Sequence, residues 1–166
     1  MCSNSTVPSY LHQNGRPIVP DFEPTELLFR RYPKEPLVLP GTSQISSSAI
    51  CLREDSYNRE LFSQAPTDVL YDEIQANNTH YYADWGIVAF QHTQLERVYV
   101  PSDPKDSRRF RASVVHAPNE CMYPHCQQEV TEETAGGRKV EPPKSIKLKM
   151  RNYMGDVCKA VKNAPL

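Results

Sequence analysis

The sequence predicts an α+β fold: a small, mostly antiparallel sheet covered by short middle helices and a C-terminal helix, with an extended N-terminal arm. Three observations carry this expectation. Two runs rich in branched and aromatic residues, 85–90 and 95–100, are separated by the polar positions 91–94 and read as strands. A third such run, 110–117, follows a turn containing Pro101 and Pro104. Near the C-terminus, Ile146, Met150, Tyr153, Met154, Val157 and Val161 recur at helical spacing and so share one face. The 15 prolines shorten every element, because proline has no amide hydrogen to donate to a helix or ladder. A chain of 166 residues is the size of one domain and can bury a core without cross-links or metal.

Taken in order, residues 1–24 are polar and broken by Pro8, Pro17, Pro20 and Pro24, which reads as a loosely attached, Pro-rich arm. Residues 25–166 form the single α+β domain. Within it, Thr25–Tyr32 can make one strand or two helical turns before Pro33, and 37–39 suit a short edge strand. A serine-rich loop over 41–48 leads into a buried strand at Ala49–Leu52. Ser56 offers an N-cap to a helix over Tyr57–Gln64, and Thr67 offers one to a helix over Asp68–Gln75. Asn77–Thr79 turns the chain toward the strands at 85–90, 95–100 and 110–117. Gly136-Gly137 and Pro142-Pro143 mark 131–143 as a flexible loop. The last helix runs from Ser145 to Lys162, with Gly155 inside it at a cost of about 1 kcal/mol relative to alanine.

Charge is unevenly distributed. Residues 138–166 carry a net +6, the rest of the chain −7, and the whole −1. A basic tail of this kind meets an acidic partner or a phosphate backbone, or else packs on its own acidic body. The N-terminus shows neither the basic nor the apolar region of a secretory signal, and no apolar run reaches the length of a membrane span. The expectation is therefore a cytoplasmic protein with no membrane partner, whose five cysteines are reduced thiols or ligands.

The stretch Val114–Cys126 holds two of the five histidines and two of the five cysteines, at the mouth of a strand. Zinc takes thiolate and imidazole ligands, so His116, Cys121, His125 and Cys126 are the candidate metal site. His92, His80 or Cys158 would supply any further ligand. The spacing departs from the two separated ligand pairs of a zinc module, and adjacent His125 and Cys126 point different ways in most backbones. The competing structural role is a backbone-bonded His116 among cysteines used as small apolar fillers. The same residues supply a nucleophile and base, Cys121 or Cys126 with His116, oriented by Glu120.

Other chemistry rests on thinner patterns. Arg30 and Arg31 with Ser47 and Ser48, and a late acid such as Glu73 or Glu96, are the groups a transferase acting on a nicotinamide dinucleotide would use. Arg31 and Ser48 join His116 and Cys121 as candidate catalytic residues. Lys105, Arg108, Arg109 and Arg111, with Phe110, Tyr99, Tyr81 and Tyr82 for stacking, are the candidate nucleic-acid contacts. No nucleophile elbow and no glycine-rich phosphate loop occurs.

The order of features resembles a loosely defined group of small uncharacterised bacterial proteins. Leu28–Tyr32, Ser47-Ser48-Ala49, Gly86–Phe90, Asp103-Pro104, His116-Ala117 and the basic C-terminal helix carry that resemblance. It implies one domain in a bacterial cell and supplies no mechanism. The Cys121–Cys126 segment lies outside the shared pattern. The sequence thus favours an intracellular, non-enzymatic binding or accessory protein whose partner is another protein. A small metal-assisted or nucleotide-acting enzyme centred on His116, or a nucleic-acid binder, stands as the alternative.

Overall fold

Strand β1 (Leu27–Tyr32) is buried on both faces, and the sheet grows outward from it on either side. The computed structural model describes residues 7–33, 46, 56–71, 82 and 85–162. Its further strands are β2 (Ser56–Arg59), β3 (Gly86–Gln91), β4 (Arg97–Tyr99), β5 (Phe110–His116), β6 (His125–Glu132), β7 (Arg138–Lys139) and β8 (Lys159–Lys162). All pair antiparallel in the order β4-β5-β6-β2-β1-β3-β8, with β7 added to the far end of β6. The sheet is curled, and the described helical structure is limited to 3-10 turns, a one-turn helix α1 (His92–Leu95) and the C-terminal helix α2 (Lys144–Val157). The α+β expectation therefore holds in its coarse form only, since the sheet dominates.

Alternation along the strands sorts the side chains into two cores. On one face Leu28, Tyr32, Tyr57, Val88, Phe90, Val114 and Cys126 pack with Leu95 of α1 and Met154 of α2. The same face continues through Tyr99, Phe110, Ala112 and Val130 beneath Ile146 and Met150. These α2 residues are spaced by four, so one stripe of the helix covers the sheet. Burial within this layer pushes the Tyr99 phenol up to about 12. On the opposite face Phe29, Ile87 and Ala89 pack against Val69 and Leu70 of the 3-10 turn Pro66–Leu70. Gly86 is required where β3 meets Tyr32, its register partner: a Cβ there would lie 2.2 Å from the Tyr32 ring.

Several elements differ from the sequence expectation. Tyr57–Arg59 lie in β2 rather than in a helix, and only the 3-10 turn Glu60–Phe62 follows. Pairing with β1 and β6 and full burial of Tyr57 and Arg59 override the local cap signal of Ser56. The second middle helix appears as the 3-10 turn Pro66–Leu70, steadied by Asp68, whose carboxylate accepts the Gln64 and Ala65 amides. Residues 125–132, unassigned by the sequence, form the longest described strand. The 131–143 loop is instead the end of β6 and a hairpin to β7, turned by Gly136 and Gly137 at positive φ. The C-terminal helix stops at Val157, and Lys159–Lys162 add an edge strand beside β3. The strands expected at 37–39 and 49–52 lie outside the described residues.

The N-terminal segment is attached more firmly than expected. Val7 and Leu11 are buried against Cys121 and Met122. The Gln13 amide donates to the Glu120 carbonyl and the Tyr123 amide to the Leu11 carbonyl. The Tyr10 hydroxyl donates to the buried Asp68 carboxylate at 2.6 Å. Burial, with Asp68 beside it, raises the Tyr10 pKa above its ordinary range.

Candidate functional site

His116 ends β5 with its ring directed under the N-terminal segment, 4% exposed. Its Nε2–H donates to the Tyr123 carbonyl at 2.8 Å, because a carbonyl can only accept. Nδ1 is then the lone-pair nitrogen and accepts the Val19 amide at 2.9 Å. Phe62 and Tyr123 pack on the ring. Burial is the main reason the imidazole pKa falls below its ordinary value, and the nearby Arg59 and His125 add to it against Glu26.

Beside it lies Arg59, a fully buried charge that the sequence reading passed over. Its Nε and one terminal nitrogen form a bidentate pair with Glu26 at 2.8 and 2.7 Å. The guanidinium also donates to the carbonyls of Val19 and Asp21, each at 2.6 Å. Its central carbon lies over the Phe22 ring, 3.8 Å from the centroid, and over the Phe62 ring at 4.9 Å. Arg16 stacks on Tyr123, and the Tyr123 hydroxyl donates to the Pro17 carbonyl. Together His116, Arg59 and Tyr123 fasten residues 11–26 across the ends of β2, β5 and β6.

The four candidate zinc ligands do not converge. His116 has both nitrogens engaged by backbone groups. His125 donates from Nδ1 to the Ala117 carbonyl at 2.7 Å, and its Nε2 faces the Ser56 hydroxyl at 3.1 Å. Cys126 points into the core beneath Tyr57, with its thiol pKa raised by burial and its Sγ–H near the Tyr57 carbonyl. Cys121 is disulfide-bonded, so it is not the thiol that the reduced-cysteine expectation required. Among the described residues no group of three or more His, Cys, Asp or Glu side chains is arranged to hold a metal ion. The cysteine–histidine nucleophile pair fails for the same reasons: one sulfur is oxidised and the other is buried and held protonated.

Arg31 donates to the carbonyls of Val69 and Tyr71 and lies over the Tyr82 ring, fastening the outer layer to β1. Arg30 is buried on the other face, where it donates to Tyr57, which donates in turn to Gln128. The two arginines thus face opposite sides of β1. Ser47, Ser48 and Glu73 lie outside the described residues, as does His80. In the basic 105–111 loop, Arg108 pairs with Asp106, while Arg109 and Arg111 share Glu133. These hydrogen bonds hold the Asp106 and Glu133 carboxyls below the usual range. The loop is exposed, with its positive charge largely answered by its own neighbours.

The chain matches no protein-family model, no curated protein and no solved structure. The resemblance to the small bacterial group accordingly gains no support. Among the described residues no helix is long and apolar enough to cross a membrane.

Proposed function

We propose that the chain is a binding or accessory protein of a multi-component system, with the His116–Arg59 cluster as the lock that shapes its contact surface. The observation that carries this reading is the presentation of Ile18 and Leu61. Each is 63% exposed although its sequence neighbours are pinned. Ile18 stands between the Pro17 carbonyl, bound by Tyr123, and the Val19 amide, bound to His116. Leu61 precedes Phe62, which packs on the same His116 ring. Large apolar side chains held outward on a rigid frame lose little freedom when a partner covers them, which favours association. The partner this suits is another protein with an apolar contact of its own.

The test is site-specific photo-crosslinking in the cells that make the protein, from position 18 or 61, with exposed Lys105 as the control position. A discrete crosslinked species of one mass from 18 and 61, weak or missing from 105, supports the reading. Equal, diffuse labelling from all three positions overturns it. So does near-stoichiometric zinc in untagged protein that is lost on His116→Gln substitution.

A further inference from the structure

The geometry points to a catalytic pair apart from the His116 lock: we propose that Ser56 and His125 act as nucleophile and base in the cleavage of carboxylic esters. This goes beyond the binding reading and does not depend on it. In the β2–β6 ladder Asn58 lies opposite His125 and Ser56 opposite Gln127, so Ser56, Asn58 and His125 share one face of the sheet. Ser56 Oγ is 3.1 Å from His125 Nε2, within reach for proton transfer. The base is oriented by a third group, since Nδ1–H donates to the Ala117 carbonyl at 2.7 Å and leaves Nε2 with its lone pair toward the serine. Both Ser56 and His125 are partly exposed, whereas His116 is buried with no vacant nitrogen.

Asn58 supplies the second, independent sign. It is 3% exposed, yet its Nδ2 has no hydrogen-bond partner. A buried amide donor without a partner carries a desolvation penalty and calls for an acceptor. Ser56 and Asn58 are two residues apart on one strand, so their side chains leave the same face about 7 Å apart. An ester bound there would place its carbonyl carbon at Ser56 Oγ; Asn58 Nδ2, enclosed in this structure, meets the developing negative charge only where the bound ester displaces what covers it.

The chemistry balances with water alone. Ser56 Oγ bonds to the carbonyl carbon as its proton passes to His125 Nε2, and the carbonyl π pair becomes the oxyanion facing Asn58. Collapse breaks the bond to the leaving oxygen, which takes the proton from His125 and departs as the alcohol. Water then attacks the acyl-serine, His125 takes its proton, and collapse releases the carboxylic acid with the proton returned to Ser56. A backbone carbonyl fixes the tautomer of His125 but offers no full charge to its protonated form, so the activity is slow relative to a carboxylate-supported triad.

The test exposes the full chain to p-nitrophenyl acetate and, separately, to a fluorophosphonate, and maps the modified residue by mass spectrometry. The expected result is a burst of nitrophenol, an acetyl or phosphonyl adduct on Ser56, and neither in Ser56→Ala. His125→Gln, with an unchanged thermal melt, should slow acylation by about 100-fold or more. Adducts elsewhere, no adduct on the folded wild-type chain, or equal acylation rates in wild type and His125→Gln overturn the proposal. If Ser56→Ala fails to fold, the fluorophosphonate map of the wild-type chain decides alone.

Discussion

Replacing Arg59 by alanine is expected to destabilise the fold by about 3–5 kcal/mol, the cost of leaving one partner of a buried ion pair uncompensated. The structure places the effect toward the upper end. The Glu26 side chain is 5% exposed, and the Val19 and Asp21 carbonyls lose their charged donor at the same time. Phe22 and Phe62 also lose the cation that lies over their rings. For a chain of this length the loss corresponds to a fall in Tm of about 10 °C. Urea unfolding at pH 7 measures the energy, and limited chymotrypsin digestion after Phe22, which is followed by Glu23, reports release of the N-terminal segment and should be faster in the variant. A double variant, Arg59→Met with Glu26→Leu, removes both charges and should recover more than half of the loss, because no ion then stays buried alone. A loss below about 1 kcal/mol for Arg59→Ala, or a double variant no better than the single one, would refute the lock.

Other outcomes follow from the same structure. His116 has a folded pKa below the ordinary histidine value of about 6.5, so the unfolded chain binds the proton first. Its contribution to stability is therefore complete above that value, declines as pH falls below it, and levels off beneath the folded pKa. Urea midpoints between pH 8 and 5 should show this slope in wild type and less of it in His116→Gln; identical slopes would count against it. Gly86→Ala should cost about 1–3 kcal/mol by overpacking against Tyr32. Combining it with Tyr32→Val should cost less than the two single changes added together, read from thermal melts. Met150→Ala, in the buried stripe of α2, should lose about 2–5 kcal/mol, while exposed Leu148→Ala should stay within about 0.5 kcal/mol of wild type.

Strands β3, β4 and β5 and the final helix were legible in the sequence because their signals are local. The β5 run 110–116 alternates inward Phe110, Ala112 and Val114 with outward Arg111, Ser113 and Val115, and its expected bounds miss by one residue. Ile146, Met150 and Met154 defined the covered stripe of α2 by spacing alone. Strands β2 and β6 were not legible, because their polar residues are satisfied by distant ones: Gln128 is buried against Tyr57, 71 positions away. The same holds at the sites. A lone charged residue in a sequence reads as surface, and only the approach of Glu26, 33 positions from Arg59, makes a buried guanidinium tolerable. His116 stood out in the sequence as a candidate ligand or base, and its Nδ1 is taken up by the Val19 amide 97 positions earlier. Ser56 and His125, 69 positions apart, meet only through ladder register. Composition and periodicity thus marked three of the strands, the covering helix and their apolar faces, while the pairing order of the strands was not readable from them. Tertiary structure alone decided which polar groups are buried together, since the partner that compensates each desolvated group lies far along the chain.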